Sequence, residues 1–293
     1  MSLERSYADF LKRYESPSVT RLESAGAIYE PQRYVVGSSR PNVAFRLVDE
    51  NGESVSIRHQ LIKPLVGMIR DLANRPHVVE SIGQDIIDRD IKGHPKDGSA
   101  DRVSILPLPT IRDGPTDGRI RRVMLSQPLE SKGDLCRVLG QLFDGQILTP
   151  LNGENRFPPM YLERIHERRR DKVLARYTGI SRVWSSVTPM LLPGYDDRKQ
   201  HRGDHQKRLA RAKQLVCKAM AQVGIDTPAE IELSRVPYWF GALHAQGYRP
   251  RDKLANYPRW HVRLTFAQPY TGPLALGAGR HCGLGLFASM ESS

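Results

Sequence analysis

A glycine-rich stretch near the end of the chain has the residue types that could hold a phosphate group. Five glycines fall within the segment from Gly272 to Gly285, and Arg280 and His281 lie between two of them. Glycine allows positive φ angles and close approach of another backbone, so such a loop can present several N–H groups to an anion. The spacing Gly-x-Gly-x-x-x-Gly differs from a dinucleotide fingerprint, and the stretch does not open a strand–helix–strand unit. The pattern therefore predicts a site for a polyanion of another kind.

A second cation-rich stretch lies upstream, over residues 198–213. Its cations are Arg198, Lys199, Arg202, Lys207, Arg208, Arg211 and Lys213. A solvated helix face usually mixes its charges more evenly, so this run favours contact with a polyanion over a merely solvated face. His201 and His205 have the spacing of a metal-binding pair, but Gly203 separates them and Asp204 is the only carboxylate beside them. The sequence therefore does not predict a zinc site.

The overall charge of the chain also favours a polyanionic partner. Its 44 Lys and Arg residues exceed its 32 Asp and Glu residues, which gives a net charge of +12 and a pI near 9.8. Nucleic acid is the commonest partner of such a protein, although the same excess can serve solubility alone. The 3 cysteines lack C-x-x-C spacing, so we expect no disulfide framework, no cysteine zinc site and a cytoplasmic location. The absence of an apolar leader and of a long apolar run predicts no contact with a membrane.

Hydrophobic periodicity predicts a first α+β domain over residues 43–150, after an irregular lead-in at 1–42. In chain order the pattern predicts a strand at 44–48, a helix at 61–72, a short helix at 79–87, strands at 103–108 and 120–125, and a helix at 135–143. Leu61, Leu65 and Ile69, for example, have the spacing of one helix face. The order strand, helix, strand, strand, helix is that of a ferredoxin-like domain.

The same order is predicted to repeat over residues 181–293, after a charged helical bridge at 151–180. The predicted elements are a helix at 161–176, a strand at 182–192, a helix at 207–223, a strand at 231–240 that Pro237 interrupts, and a strand at 260–266. Trp184, Trp239 and Trp260 are predicted to anchor the core rather than to stack on bases. We therefore expect an α+β protein with tandem ferredoxin-like, or RRM-like, domains.

Four segments of the sequence occur in the order found in a known protein family. They are Arg102–Pro109, Asp117–Ile120, Trp184–Pro189 and the stretch from Gly272 to Gly285. Together they resemble the C-terminal portion of the fused subunit of type I-U (also called I-G) CRISPR systems. That portion is similar to a Cas-six-type repeat endoribonuclease of the RAMP superfamily. The fused subunit carries a Cas-five-type half before this portion, which the resemblance does not include, so we carry over no function of that half.

The resemblance implies that the chain binds the stem-loop of CRISPR repeat RNA and cleaves the precursor transcript without a metal ion or another cofactor. The 2′-OH would attack the adjacent phosphate and leave a 2′,3′-cyclic phosphate and a 5′-OH, which requires a base, an acid and cations. Mature crRNA and other subunits of a type I effector complex are the further partners that it implies. RAMP folds also serve as RNA-binding subunits without catalysis, which is the alternative function.

Histidine is the residue type expected to provide the acid or the base, since it titrates near neutrality. In the family the catalytic histidine usually lies in or just after the first helix of the N-terminal half. His94 fits best, because it lies in a Gly-His-Pro-Lys turn beside Lys92 and Lys96. An exposed loop histidine without a function fits this turn equally well. His59, at the start of the first helix, is the second candidate, and a surface position there is its simpler interpretation.

RNA contacts are expected from both cation-rich stretches. In the family a basic helix or loop of the second half grips the repeat hairpin, and we expect this of residues 198–213, since A-form RNA is held mainly through phosphates and 2′-hydroxyls. Arg280 and His281 are predicted to bind an RNA phosphate or a base rather than to perform the chemistry, unless the loop only joins two strands. The glycines predicted to contact RNA are Gly277, Gly279 and Gly283.

Overall fold

A computed structural model of the chain describes residues 40–93, 102–112, 116–128, 134–150, 157–166, 171–192, 205–225, 229–250 and 252–290. All of them belong to one structural unit, Val36–Ser293. They form two sheets with helices, one over residues 42–164 (the first half) and one over residues 171–290 (the second half). Among these described residues, no helix combines the length and the apolar composition that a membrane span requires.

The first half has the predicted ferredoxin-like topology. Its elements are β1 (Asn42–Val48), α1 (Ile62–Leu72), α2 (Pro76–Ile82), β2 (Ser104–Pro109), β3 (Ile120–Ser126), α3 (Leu135–Leu142), β4 (Ile147–Leu148) and β5 (Met160–Arg164). A helical turn (Gln84–Ile86) and a π-helical stretch (Ile87–Lys92) follow α2. The sheet has the order β2-β3-β1-β5-β4, and its pairs are antiparallel. Helices α1 and α3 follow β1 and β3, as the ferredoxin-like fold requires.

The predicted helix at 161–176 is wrong in its first part. Met160–Arg164 forms β5, which pairs with β1, and the helix α4 covers only Lys172–Thr178. Met160 and Leu162 are buried, whereas the residues between and after them are partly exposed, so the segment has the period of a strand. The Asp171 carboxylate begins α4 by accepting hydrogen bonds from the N–H groups of its first turn. The fourth long strand of the first half therefore falls in the segment predicted as a bridge.

The second half repeats the topology. After α4 its elements are β6 (Ile180–Ser186), β7 (Met190–Leu191), α5 (His205–Ala221), β8 (Ala229–Ser234), β9 (Arg259–Thr271) and β10 (Phe287–Ser289). The strands have the order β8-β9-β6-β10, all antiparallel, and β7 pairs with the start of β9. The strand predicted at 231–240 ends at Ser234, before Pro237, whose missing N–H cannot join a ladder. Between β9 and β10, the glycine-rich stretch with the 3-10 turn Arg280–Cys282 takes the place of a second helix.

A buried cluster joins the two halves. It contains Ala44, Leu106, Leu108 and Met124 from the first sheet and Tyr177, Val187, Trp239, Leu286 and Ala288 from the second half. The face of the first sheet that its own helices leave open is thus covered by the second half. Trp184 and Trp239 are core anchors, as predicted, and their indole N–H groups donate to backbone carbonyls at 3.0 Å. Trp260 is half-buried, with the Arg235 guanidinium 3.7 Å from its ring centroid.

Candidate active site

His59 lies where the two halves meet. It opens a 3-10 turn, His59–Leu61, that leads directly into α1, and its side chain is only 6% exposed. The surface position considered for this residue is therefore wrong. Its ring makes an edge contact with Tyr248 of the second half, with 5.6 Å between the ring centroids and an interplanar angle of 86°. A titratable ring from the first half is thus held by an aromatic side chain from the second.

The Tyr248 hydroxyl orients the His59 ring. Its oxygen lies 3.1 Å from Nδ1 of His59, accepts the Leu243 N–H at 3.2 Å, and lies 3.2 Å from the Val187 carbonyl oxygen. The Val187 carbonyl can only accept a hydrogen bond, so the Tyr248 hydroxyl donates its proton to that oxygen. Nδ1–H of His59 then donates to the hydroxyl oxygen. We assign this tautomer because it satisfies all three contacts, and it leaves a lone pair on Nε2, as a general base requires. The other tautomer would place an N–H group on Nε2, where the backbones of Gly118 and Gly241 favour a bound proton. Burial raises the pKa of the Tyr248 hydroxyl, which therefore keeps its proton at neutral pH.

Two glycine backbones lie beside His59. No described residue forms a hydrogen bond with the buried Nε2 atom. Burial lowers the pKa of His59. The polar backbones of Gly241 and Gly118 and the negative charge of Asp117 favour the protonated ring, and they therefore raise the pKa by a smaller amount. Gly118 and Gly241 have φ angles of 63° and 86°, and a Cβ on Gly118 would lie 1.9 Å from the Gly241 oxygen. The loop of the first half at Gly118 and the loop of the second half at Gly241 are therefore in backbone contact beside the His59 ring, at a distance that leaves no room for a side chain.

A groove beside His59 brings cations from both halves to the site. Lys63, one helical turn after His59, and Arg249, next to Tyr248, are both exposed and line it. Cys282 and the neighbouring glycine-rich stretch form another wall. Two cations beside a neutral imidazole can attract a phosphate group and stabilise charge that develops on it. No group of three or more His, Cys, Asp and Glu side chains that could hold a metal ion occurs within the described segments.

The other predicted catalytic residues lie apart from this groove or outside the described residues. His94 and Lys96 are outside them. Lys92 ends the π-helical stretch, where its Nζ atom lies 2.8 Å from Oδ1 of Asp88. Its carbonyl oxygen accepts a hydrogen bond from the Arg102 guanidinium. Lys92 is thus part of a local polar cluster and does not line the groove beside His59.

Arg280 and His281 are buried against the first half. Nδ1 of His281 lies 2.9 Å from the Ser104 hydroxyl of β2, and Arg70 of α1 donates to the His281 carbonyl at 2.8 Å. The side chains of Arg280 and His281 are 9% and 7% exposed. Burial holds the pKa of His281 well below its usual value, and the charge of Arg280 adds to this effect. The two residues connect the second half to α1 and β2, and RNA contact by their side chains stays a prediction.

The glycines of this stretch pack closely against protein. A Cβ on Gly277 would lie 2.6 Å from the Leu191 oxygen, and one on Gly283 would lie 2.7 Å from Cδ of Pro107. A Cβ on Gly279 would lie 2.6 Å from Cβ of Leu284. Each of these positions needs glycine because a neighbouring atom occupies the place of the side chain. Contact between these glycines and RNA also stays a prediction.

The charged side chains on the exposed face of helix α5 are all basic. Its exposed cations are Lys207, Arg208, Arg211, Lys213 and Lys218, and the helix contains no carboxylate. Its opposite face is buried against the second sheet through Leu215, Val216 and Met220. Arg198, Lys199 and Arg202, the other predicted RNA-binding cations, lie outside the described residues, as does His201. Helix α5 is therefore an exposed surface that attracts a negatively charged ligand, because it has no carboxylate that would repel one.

Buried neutral histidines predict a loss of stability in acid. The folded pKa values of His59, His261 and His281 are all lowered by burial, so the unfolded chain binds protons more readily than the folded one. The stability from each ring is fully present above its unfolded pKa, about 6.5, and is lost as pH falls through that value toward the folded pKa. Urea unfolding at pH 7, 6 and 5 should show a falling free energy of unfolding.

The variant His281→Asn isolates the contribution of one ring. It should reduce the pH dependence of the unfolding free energy by up to about 1.4 kcal/mol per pH unit below pH 6.5. His77→Asn, at an exposed position on α2, is the control and should keep the wild-type slope. An unchanged slope in His281→Asn would contradict the prediction.

Three residues of the site were missed by the sequence interpretation. Tyr248 lies 189 positions from His59 along the chain, so no local spacing connects them. Arg249 is missed for the same reason. Lys63 could have been found, because it follows His59 by four residues, the distance at which side chains on a helix become neighbours.

Comparison with known proteins places the chain in one family. Residues 27–289 match the family of the CRISPR-associated protein GSU0054. No curated protein matches the chain. Similar solved structures include a CRISPR-associated protein Cas6, with 14% identity, a TM-score of 0.43, and coverage of 85% of this chain and 99% of that one. A RAMP protein that binds different RNA substrates has 11% identity, a TM-score of 0.41, and coverage of 85% and 99%. A CRISPR RNA processing endoribonuclease, Cas6b, has 11% identity, a TM-score of 0.37, and coverage of 84% and 98%.

Proposed function

Because the chain belongs to the CRISPR-associated GSU0054 family, we propose that it binds the stem-loop of CRISPR repeat RNA and cleaves it without a metal ion. The observation that carries this proposal is the position of His59, a buried neutral imidazole between two RRM-like halves, oriented by Tyr248 and flanked by the exposed cations Lys63 and Arg249. RNA supplies its own nucleophile, so a base, an acid and cations suffice for the reaction.

In the proposed reaction, Nε2 of His59 accepts the proton of a 2′-OH, and the 2′-oxygen attacks the adjacent phosphorus. The bond from phosphorus to the 5′-oxygen breaks, which leaves a 2′,3′-cyclic phosphate and a 5′-OH. The lowered pKa of His59 favours the neutral ring that a base requires. Lys63 and Arg249 stabilise the negative charge of the phosphorane. The departing 5′-oxygen takes its proton from solvent water. His94, with Lys92 and Lys96, remains the alternative catalytic group.

Contact between Nε2 and RNA requires a local opening. Nε2 is buried, and the Gly118 and Gly241 backbones lie beside it. The loops that carry these two glycines must therefore separate when RNA enters. Catalytic contacts that form only with bound substrate are common in enzymes, so a histidine that is buried in the free chain can act as the base once RNA is bound.

A cleavage assay with chemically altered RNA tests the proposal. Repeat RNA is incubated with the full chain, with and without EDTA, and in parallel with the same RNA carrying a 2′-deoxy nucleotide at the cleavage position. We expect cleavage of the unmodified RNA in the presence of EDTA and no cleavage of the 2′-deoxy RNA. Mass spectrometry of the product should find the cyclic phosphate. Loss of cleavage in EDTA would indicate a metal nuclease. Binding of repeat RNA without cleavage would support the alternative, a non-catalytic RNA-binding subunit of a type I effector complex.

Helix α5 is proposed to hold the phosphates of the repeat hairpin. Replacing Lys207, Arg208 and Arg211 together with glutamine should flatten the plot of log Kd against log salt, by about 0.7–0.9 for each phosphate that the variant no longer neutralises. Fluorescence anisotropy with labelled repeat RNA between low and moderate salt measures this slope. The control replaces Arg46, Arg89 and Arg137, exposed cations of the first half, with glutamine and lowers the net charge equally. Equal flattening in both triple variants would contradict a specific contact at α5.

A further inference from the structure

An exposed aromatic ring lies next to the candidate active site and has no part in the core. Phe240 is 57% exposed, which is unusual for so large an apolar side chain. Its backbone pairs with that of Arg112 in an isolated β-bridge between the two halves. The residue that follows it is Gly241, whose backbone lies beside the His59 ring. Phe240 is therefore one residue away from the backbone that covers the proposed base.

The loop holds Phe240 in place through its neighbours. Trp239 is buried in the cluster between the halves, and its indole N–H donates to the Ser185 carbonyl at 3.0 Å. The Tyr238 ring lies under the Arg263 guanidinium, 4.3 Å from the ring centroid. Of three consecutive aromatic residues, the first two are fixed against the second half and the third is presented to solvent. A ring on an anchored loop loses little conformational entropy when it binds a ligand.

Cations surround this part of the backbone. Arg112, the bridge partner of Phe240, is exposed, and Arg119 and Arg121 follow Gly118 in the hairpin that touches Gly241. The nearby carboxylate of Asp117 is engaged by Arg121, which holds the pKa of Asp117 at about 2 and offsets its charge. Since Arg121 and Asp117 offset each other, Arg112 and Arg119 leave this part of the surface positive, which suits a ligand that combines a flat apolar face with negative charge.

We propose that Phe240 stacks on an unpaired nucleobase of the bound RNA and so positions the nucleotide next to the cleaved phosphate. The inference rests on the proposed function, and it adds a base-binding residue to a site so far defined by its general base and its cations. An exposed aromatic side chain among arginines is the arrangement with which proteins hold single-stranded RNA, since every nucleobase has a face that can stack. A nucleobase within a duplex offers no free face, so the expected ligand is a nucleotide outside the hairpin stem.

Substitutions at Phe240 test stacking separately from apolar contact. Repeat RNA with its unpaired flanks, blocked by a 2′-deoxy nucleotide at the cleavage position, is the probe, and the isolated stem is the second probe. Phe240→Ala and Phe240→Leu should each weaken binding of the flanked RNA by roughly 5- to 100-fold, since only the aromatic ring can stack. Phe240→Trp should bind like the wild type. Ile180→Ala, which removes a side chain of the second half that is 53% exposed, is the matched control and should bind normally.

The outcomes separate this inference from the proposed function. Equal affinity of wild type and Phe240→Ala for the flanked RNA would overturn the inference while the proposed function stands. Equal weakening of binding to the isolated stem would also overturn it, because that probe has no unpaired nucleobase. If the wild-type chain neither binds nor cleaves the repeat, the proposed function itself has failed, whatever the variants do.

Discussion

Replacing His59 with alanine is expected to slow cleavage of repeat RNA by about 100- to 10,000-fold, the range that a general base usually contributes. RNA affinity should change by less than about threefold, because a group that moves a proton in the transition state adds little to ground-state binding. Single-turnover cleavage and anisotropy with the 2′-deoxy repeat measure the two quantities. The expected result is therefore a chain that holds the repeat and does not cut it.

The Tyr248 hydroxyl supplies a second check on the same site. Tyr248→Phe removes the group that accepts from Leu243 and contacts Nδ1 of His59, while the ring itself remains. The imidazole then lacks the contact that fixes its tautomer. We expect the pH profile of the cleavage rate to be displaced along the pH axis and the highest rate in that profile to be lower. A merely structural tyrosine would change the stability of the chain and leave the pH profile in place.

Two further variants make the assignment of the base falsifiable. His77→Ala, at an exposed position on α2, should cleave at the wild-type rate. His94→Ala compares the two candidates that the sequence suggested. If His94→Ala is inactive and His59→Ala cleaves normally, His59 is not the base and the catalytic site lies at the Gly-His-Pro-Lys turn. Where His59→Ala unfolds, as circular dichroism would reveal, His59→Gln keeps a polar side chain of similar size and answers the same question.

The duplicated topology could be predicted from the sequence because periodicity is local. The apolar spacing from Leu61 to Leu72 correctly predicts α1, and the alternation around Trp260 correctly predicts β9. Strand β5 is missed because it is only five residues long and lies in a charged segment, where its alternation is easily mistaken for a helix face. Pairing with β1, more than a hundred residues upstream, decides its structure. Such a partner leaves no mark in the segment itself.

The candidate site could be predicted only in part, for a related reason. His59 is recognisable as a titratable residue at the start of a helix, but its burial depends on Tyr248, Gly118 and Gly241, which come from distant parts of the chain. The glycines of the final stretch were recognised as positions where a side chain cannot fit. A phosphate group and a protein backbone that lie close to a glycine both leave no room for a Cβ atom. The glycine spacing in the sequence therefore does not distinguish an RNA contact from a contact within the protein.

Gly285 offers the sharpest test of how that stretch is packed. Its φ angle is 69°, its N–H donates to the Pro189 carbonyl at 2.9 Å, and its own carbonyl accepts the Leu276 N–H at 2.9 Å. A Cβ at this position would lie 1.9 Å from the Leu276 oxygen. Backbone, unlike the end of a long side chain, cannot move aside without breaking these hydrogen bonds. Gly285→Ala therefore combines left-handed backbone strain with a steric clash, and we expect a loss of about 3 kcal/mol or more in the free energy of unfolding.

Gly52→Ala provides the matched control for Gly285→Ala. Gly52 has a φ angle of 80°, but nothing lies within 4 Å of the position that its Cβ would occupy. Only the backbone strain applies there, which predicts a loss of about 1–2 kcal/mol in the free energy of unfolding. Urea unfolding of both variants measures the difference, which belongs to the contact with Leu276. Equal losses would mean that the stretch relaxes around an added methyl group.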